Sequence, residues 1–445
     1  EQVGIVSSES EALSLGVEHE LVTLYSDYIV EVPQLKAEVT FQKSKKMEIH
    51  SWFQYMQGYS PGLLDHYFHN WKANPKKVFL DPFVGSGTSL VHAQQTGYES
   101  EGWDISPLAV ILSKAKTTDV DGLDFEKLCL DLKNNIVGID VIEEIEKYPP
   151  QIVKHLHKSF PPSVLKDVLE IRNAIENIAC EKLKRFSLIA FMSTLEESSY
   201  IRKHGSHYRF MNTENAGVQR QLDFSEIDYK KNFFSKLEQI AVEASNNMHD
   251  LPKSTVKLQD ARMGKISGNL ASYVITSPPY LNRNNYIAQS KMEMFLSGLL
   301  SDFDDYRALT KKTLRSHVEA ASIEAVDKME CPLVERICKT VIERGESYPG
   351  VSVMIQGYFE DMVAVMDNLS HSLSTGAMVA LAIGCSRWSG VVVPTDLLVA
   401  HHALQSGNYL LKSVDVVRYK GNAPQQMAKW GRYPVRESVI VLERI

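Results

Sequence analysis

The sequence predicts an α/β fold in which one sheet domain carries two long, largely helical insertions. Two observations carry this expectation. Seven short β-like runs are spread unevenly along the chain, and the first five end in Asp, Pro, Gly or Ser. Between them lie stretches with helical periodicity. In open α/β sheets ligands sit outside the carboxyl ends of the strands, so those endings are where chemistry should gather.

Lys77-Val78-Phe79-Leu80 leads into Asp81-Pro82, and Ser100-Glu101-Gly102-Trp103 into Asp104. Val256-Lys257-Leu258 leads toward Asp260, and Tyr273-Val274-Ile275 into Thr276-Ser277-Pro278-Pro279. The run from Met378 to Ala382 precedes Gly384, and the runs Val414–Val417 and Val439–Leu442 close the chain. Between Asp104 and Val256 the pattern turns helical. Val168, Ile171, Ile175 and Ile178 form one apolar stripe, and Leu237, Ile240, Ala241 and Ala244 form another. Residues 282–365 also read as helix and loop. No internal repeat or low-complexity linker interrupts the chain.

With 445 residues the chain has room for two or three domain-sized units. Lys+Arg 48 against Asp+Glu 55 gives a net charge of -7, which excludes a histone-like basic coat. A nucleic-acid partner needs only a local basic face and stays open. The longest apolar runs are too short to span a bilayer, and no leader-like pattern follows Glu1. The five cysteines (Cys129, Cys180, Cys331, Cys338 and Cys385) contain no C-x-x-C, so neither a disulfide framework nor a structural zinc site is expected. The pair His401-His402 lacks a ligand at metal-binding spacing, and no metal is expected.

Asp81-Pro82-Phe83-Val84-Gly85-Ser86-Gly87-Thr88 joins the end of a strand to the start of a helix. Gly85 and Gly87 permit positive φ and close approach of a ligand to the backbone. The pattern is neither G-x-G-x-x-G nor the lysine-bearing triphosphate loop. Alone it is a weak signal. Asp104, at the end of the next run, adds a carboxylate suited to two ribose hydroxyls. Together they suggest a cofactor that carries a nucleoside.

Three Pro-Pro pairs occur, at Pro149-Pro150, Pro161-Pro162 and Pro278-Pro279, and only the last comes straight off a β-like run. The first two read as helix boundaries. Two prolines fix the backbone and remove two N–H donors, leaving carbonyls free as acceptors. Acceptors at Ser277 and Pro278 beside the Tyr280 ring suit a planar base with an exocyclic amine.

On these residues the chain resembles the S-adenosylmethionine-dependent DNA amino-methyltransferases, which methylate N4 of cytosine or N6 of adenine. Asp81–Thr88 is similar to the family's cofactor motif, and Thr276-Ser277-Pro278-Pro279-Tyr280 to its catalytic motif. Trp52–Pro61, with Tyr55, Gly58 and Ser60, resembles its N-terminal cofactor segment. The resemblance implies S-adenosyl-L-methionine held by Tyr55, Gly58, Ser60, Asp81, Pro82, Phe83, Gly85, Ser86, Gly87, Thr88, Asp104, Ile105, Asp260 and Ala261. It implies catalysis by Ser277, Pro278, Pro279 and Tyr280. It also implies a Rossmann-like sheet of seven strands, mostly parallel, with the last antiparallel. The expected organisation is an N-terminal extension (1–50), cofactor core (51–118), helical insertion (119–251), catalytic core (252–290), second insertion (291–355) and C-terminal strands (356–445). Either insertion is a candidate for target recognition.

Ser before Pro-Pro is commoner in the cytosine-N4 enzymes, so that base is expected ahead of adenine N6. A carbon-5 cytosine enzyme would need a Pro-Cys nucleophile, and the sequence has no such dipeptide. Three basic stretches interleaved with aromatics are candidate DNA contacts. They hold Arg202 and Lys203; Arg307, Lys311, Lys312 and Arg315; and Arg418, Lys420, Lys429, Arg432 and Arg436. Asn282, Arg283, Asn284, Asn285 and Tyr286 are expected to line the pocket of the flipped base. Double-stranded DNA is the expected partner, with a cognate restriction endonuclease as a further candidate. A cytoplasmic, prokaryotic, nucleoid-associated location follows from the resemblance. Two rival readings are a tRNA guanine-N2 methyltransferase and a non-catalytic specificity subunit. The first shares the glycine turn and the Pro-Pro-Tyr motif but needs an N-terminal RNA-binding domain.

Overall fold

A computed structural model of the chain describes residues 9–55, 58–204, 207–210, 227–282, 284–320, 331–421 and 424–445. Eight strands form one sheet. They are β1 (Ile29–Glu31), β2 (Phe79–Asp81), β3 (Ser100–Asp104), β4 (Ser254–Leu258), β5 (Ala271–Thr276), β6 (Leu373–Gly384), β7 (Tyr409–Lys420) and β8 (Val435–Arg444). Their order across the sheet is β1-β7-β8-β6-β5-β2-β3-β4. β8 runs antiparallel to both neighbours, and the other pairings are parallel. Each of the seven β-like runs falls on a strand. The count of seven is corrected to eight by β1, a three-residue edge strand.

Both faces of the sheet are apolar because the strands alternate with period two. Val274, Val379, Leu381, Ile383, Ile440 and Leu442 face one core, with helices Pro332–Glu343, Val351–Ser370 and Thr395–Gln405 packed on it. Ile275, Ala380, Ala382, Val439 and Val441 face the other, covered by helices Gly62–Asn70 and Thr88–Gln95. A third core lies among the helices between β3 and β4. Val168, Ile171, Ile175, Leu237, Ile240 and Ala244 are fully buried there, and Ile178 and Ala241 are partly buried. No helix among the described residues is long and apolar enough to cross a membrane.

The strand order places the site. From β2 the chain winds outward through β3 and β4, and then β5 returns to the other side of β2. Strand order reverses between β2 and β5, and a crevice opens at their carboxyl ends.

Candidate active site

The crevice is a cavity of about 840 Å³. Its lining includes Tyr55, Gly58, Pro82, Phe83, Gly85, Ser86, Thr88, Asp104, Ile105, Asp260 and Ala261. It also includes Ser277, Pro278, Pro279, Tyr280 and Asn282. The two sequence motifs, far apart in the chain, therefore border one space. Cavities of this size suit a cofactor together with part of a substrate.

The glycine turn is set by backbone geometry. Gly87 caps helix Thr88–Gln95 at φ 85°, and a Cβ there would lie 3.0 Å from the Ser113 Cα. The Gly85 N–H donates to Asp104 Oδ2 at 2.9 Å, and the Ser106 N–H donates to Asp104 Oδ1 at 2.8 Å. Burial pushes the Asp104 carboxyl up to about 6, against the pull of these N–H donors.

Asp81, Ser60 and Gly87 stand behind the cavity wall rather than on it. Asp81 is 1% exposed and is a hub. It accepts from Tyr59 Oη at 2.9 Å, Ser89 Oγ at 2.5 Å, Thr276 Oγ1 at 2.6 Å and the Phe83 N–H at 3.0 Å. One carboxylate thus ties the glycine turn to the end of β5. Burial raises its pKa, and the four donors oppose that rise. Ser60 is buried and donates to the Thr40 carbonyl at 2.6 Å. Asp260 does line the cavity, but Arg262 grips it (Nη2 to Oδ2, 2.7 Å) and also reaches Asp361 Oδ1 at 3.0 Å.

Just past the end of β5, Ser277 Oγ donates to the Ala382 carbonyl at 3.2 Å. Its hydrogen is thereby directed at β6, and its lone pairs stay available as acceptors. The Tyr280 N–H donates to Tyr286 Oη at 3.1 Å. The Tyr280 hydroxyl lies within hydrogen-bond reach of the Ser277 and Glu437 side chains, and Lys420 Nζ stands 4.9 Å from the ring centroid. Glu437 is buried, and Arg418 and Lys420 both ion-pair with it. Arg418 and Glu437 line the cavity, as do residues 33–34, 36–37 and 39–42. Of these, Glu437 and the stretch 33–42 carry no motif signal in the sequence.

Several of the candidate DNA contacts are engaged within the chain. Arg202 Nη1 donates to the carbonyls of Glu196, Ser199 and Ile201, at 2.6, 2.9 and 2.7 Å, and so closes the end of a helix. Lys203 is buried and ion-pairs with Glu293. Arg315 is 12% exposed and is held by Asp361 and Glu360, each at 2.9 Å. Arg436 is buried between Glu18 and Asp396. For Lys203, Arg315 and Arg436 a buried carboxylate neutralises the cation that the sequence offers to solvent. Arg307, Lys311, Lys312, Lys429 and Arg432 are exposed, although Arg307 pairs with Asp304 at 2.6 Å. Lys312 also borders the cavity. Asn284 and Tyr286 join Asn282 on the cavity wall, whereas Asn285 turns inward to Glu319 at 2.5 Å. Arg283 lies outside the described residues. Among the described residues no cluster could hold a metal ion.

No protein-family model matches the chain. It is similar to the type II methyltransferase M.BsoBI of Geobacillus stearothermophilus, 26% identical over 462 residues that cover 91% of this chain and 87% of the relative. It is similar to the type II methyltransferase M.AvaI of Nostoc sp., 24% identical over 439 residues that cover 91% of this chain and 88% of the relative. Similarity to the type II methyltransferase M.MvaI of Kocuria varians is 26% over 228 residues, 49% of each chain. The first two likenesses cover 91% of the chain and so extend well beyond the two motifs.

Proposed function

We propose that this chain is a site-specific DNA methyltransferase that modifies N4 of a flipped cytosine within a restriction–modification system. The observation that carries the proposal is the shared cavity. Asp104 and the Gly85 turn border it with Ser277, Pro278 and Tyr280. The relatives named as type II methyltransferases support the same reading.

The residues present fit S-adenosyl-L-methionine. Asp104 would accept from its ribose hydroxyls, the Gly85–Thr88 turn would approach it closely, and Tyr55 and Phe83 would flank it. When bound, it supplies a methyl group on a positively charged sulfur. The amine of cytosine is conjugated with its ring and is a poor nucleophile. Ser277 Oγ, with its own hydrogen turned to Ala382, accepts one amine N–H, and the Pro278 carbonyl accepts the other. This draws the nitrogen toward tetrahedral geometry and frees its lone pair. Tyr280 stacks on the base. Extruding the base costs a few kcal/mol of stacking and pairing. Fixing both reactants recovers more, since orientation can supply about 7–11 kcal/mol of barrier reduction.

The test is to express the chain in a host lacking DNA modification, hydrolyse the DNA to nucleosides and analyse them by mass spectrometry. N4-methylcytosine is the expected product. N6-methyladenine alone would overturn the choice of base, and new methylation of tRNA nucleosides with none of DNA would overturn the substrate class.

A further inference from the structure

The N-terminal segment Pro33–Lys46 carries four lysines (Lys36, Lys43, Lys45 and Lys46) and one acid, Glu38. In a chain of net charge -7 this is a local excess of positive charge. The segment forms part of the cavity wall, through Pro33, Lys36, Val39 and Phe41 among others. All four lysines are exposed. Glu38 is buried and already paired with Lys43. Lys36, Lys45 and Lys46 have no acidic partner among the described residues. Lys45 lies over the Phe41 ring, 4.8 Å from its centroid.

The segment is built to hold these lysines outward. Leu35 and Val39 are 3% and 6% exposed and pack with Val32, Tyr59 and Leu63. The Val32 N–H donates to the Val416 carbonyl at 2.8 Å, and the Ser60 N–H to the Glu38 carbonyl at 2.7 Å. The apolar positions thus anchor the segment to the sheet and to helix Gly62–Asn70, and the lysines are left to solvent. The same cavity is bordered by Lys312, which follows exposed Lys311. Among the described residues no acid pairs with Lys36, Lys45 or Lys46, and a polyanion is the partner such a surface fits.

We propose that Pro33–Lys46 is a phosphate-gripping strap that contacts the duplex backbone beside the flipped base through Lys36, Lys45 and Lys46. This rests on the DNA-methyltransferase reading. Lys43 is left out because Glu38 holds it.

The test measures binding of a 5′-fluorescent duplex of about 30 base pairs as KCl is raised, using the full chain. The variants are K36Q/K45Q/K46Q and the charge-keeping K36R/K45R/K46R. Each lost phosphate contact lowers the slope of log K against log salt by about 0.9, so the glutamine variant should flatten it by about 2–3. The arginine variant should keep the wild-type slope, which separates charge from folding damage. A glutamine variant with the wild-type slope would overturn the strap. If the wild-type chain neither binds duplex DNA nor methylates it, the functional reading fails, and the strap fails with it. A strap that acts only on RNA would show as a changed slope on tRNA and an unchanged slope on duplex, and would also overturn the proposal.

Discussion

Replacing Gly384 with alanine tests whether the placement of the Tyr280 ring limits the reaction. Gly384 ends β6, in register with Glu437 on β8. An added Cβ would sit 2.9 Å from Tyr280 Cδ2 and 3.0 Å from Cε2. Carbon atoms in contact prefer about 3.5–4.0 Å, so the ring must move by about 0.5–1 Å. It has little freedom to do so. Lys420 stands over it at 4.9 Å, Glu437 is within hydrogen-bond reach of its hydroxyl, and the Tyr280 N–H is fixed on Tyr286. Overpacking of this kind costs roughly 1–3 kcal/mol of stability. A misplacement of about 1 Å at a reacting centre can slow the chemical step by about 100-fold, equal to about 2.7 kcal/mol. Gly384 does not line the cavity, so cofactor affinity should stay within about twofold by calorimetric titration, since sites that share no contact couple by no more than about 0.5 kcal/mol. The assay is single-turnover transfer of labelled methyl to duplex DNA, run beside urea unfolding. A chemical step within about threefold of wild type, less than about 0.7 kcal/mol, would refute the argument that Tyr280 placement limits transfer.

Other expectations follow from the same contacts. Asp104 is raised from 3.8 to about 6, and under the proposed function its ionised form accepts from the ribose, so cofactor affinity should fall below about pH 6. Calorimetry from acid to neutral pH checks this, and Asp104→Asn should bind weakly with no pH dependence. By itself this shift favours the folded state in acid and loses that contribution as pH rises from 3.8 toward about 6. Asp81→Ala removes the acceptor for three hydroxyls and one N–H. At about 1–3 kcal/mol per stranded donor, with Tyr59 retaining the Ile275 carbonyl, the loss should be about 3–9 kcal/mol in urea unfolding. A loss under about 1 kcal/mol would show that the hub is dispensable. Lys203→Met should cost about 3 kcal/mol of stability, because the buried Glu293 carboxylate loses its cation, and should leave the salt slope of DNA binding unchanged. A flattened slope would restore Lys203 as a phosphate contact.

Central strands were legible because both of their faces are apolar. β6 alternates Val379, Leu381 and Ile383 on one core with Ala380 and Ala382 on the other. β1 was illegible because its three residues are half-exposed or more exposed, Val30 at 47%, and become a strand only by pairing with Val414–Val416. The two motifs at the site were legible because a glycine turn and a Pro-Pro pair constrain the backbone locally. The role of Asp81 was not, since three of its four donors come from other elements: Tyr59, Ser89 and Thr276. Glu437 lies 157 residues beyond Tyr280, and nothing near it in the sequence signals that it meets the stacking ring.

Charge shows most clearly why the DNA surface has to be read from the fold. A basic run is visible in sequence, but its neutralising acids are not. Arg315 meets Asp361 from 46 residues away, and Lys203 meets Glu293 from 90 residues away. Such pairs consume cations and carboxylates together, so they leave the net charge of -7 unchanged and alter only where free charge remains. What remains exposed beside the cavity is Lys312 with its neighbour Lys311, together with Lys36, Lys45 and Lys46. Salt-dependent affinity counts phosphates neutralised, not net charge. An acidic protein can therefore bind a polyanion where a basic mouth is local, and the field at that mouth steers the approach.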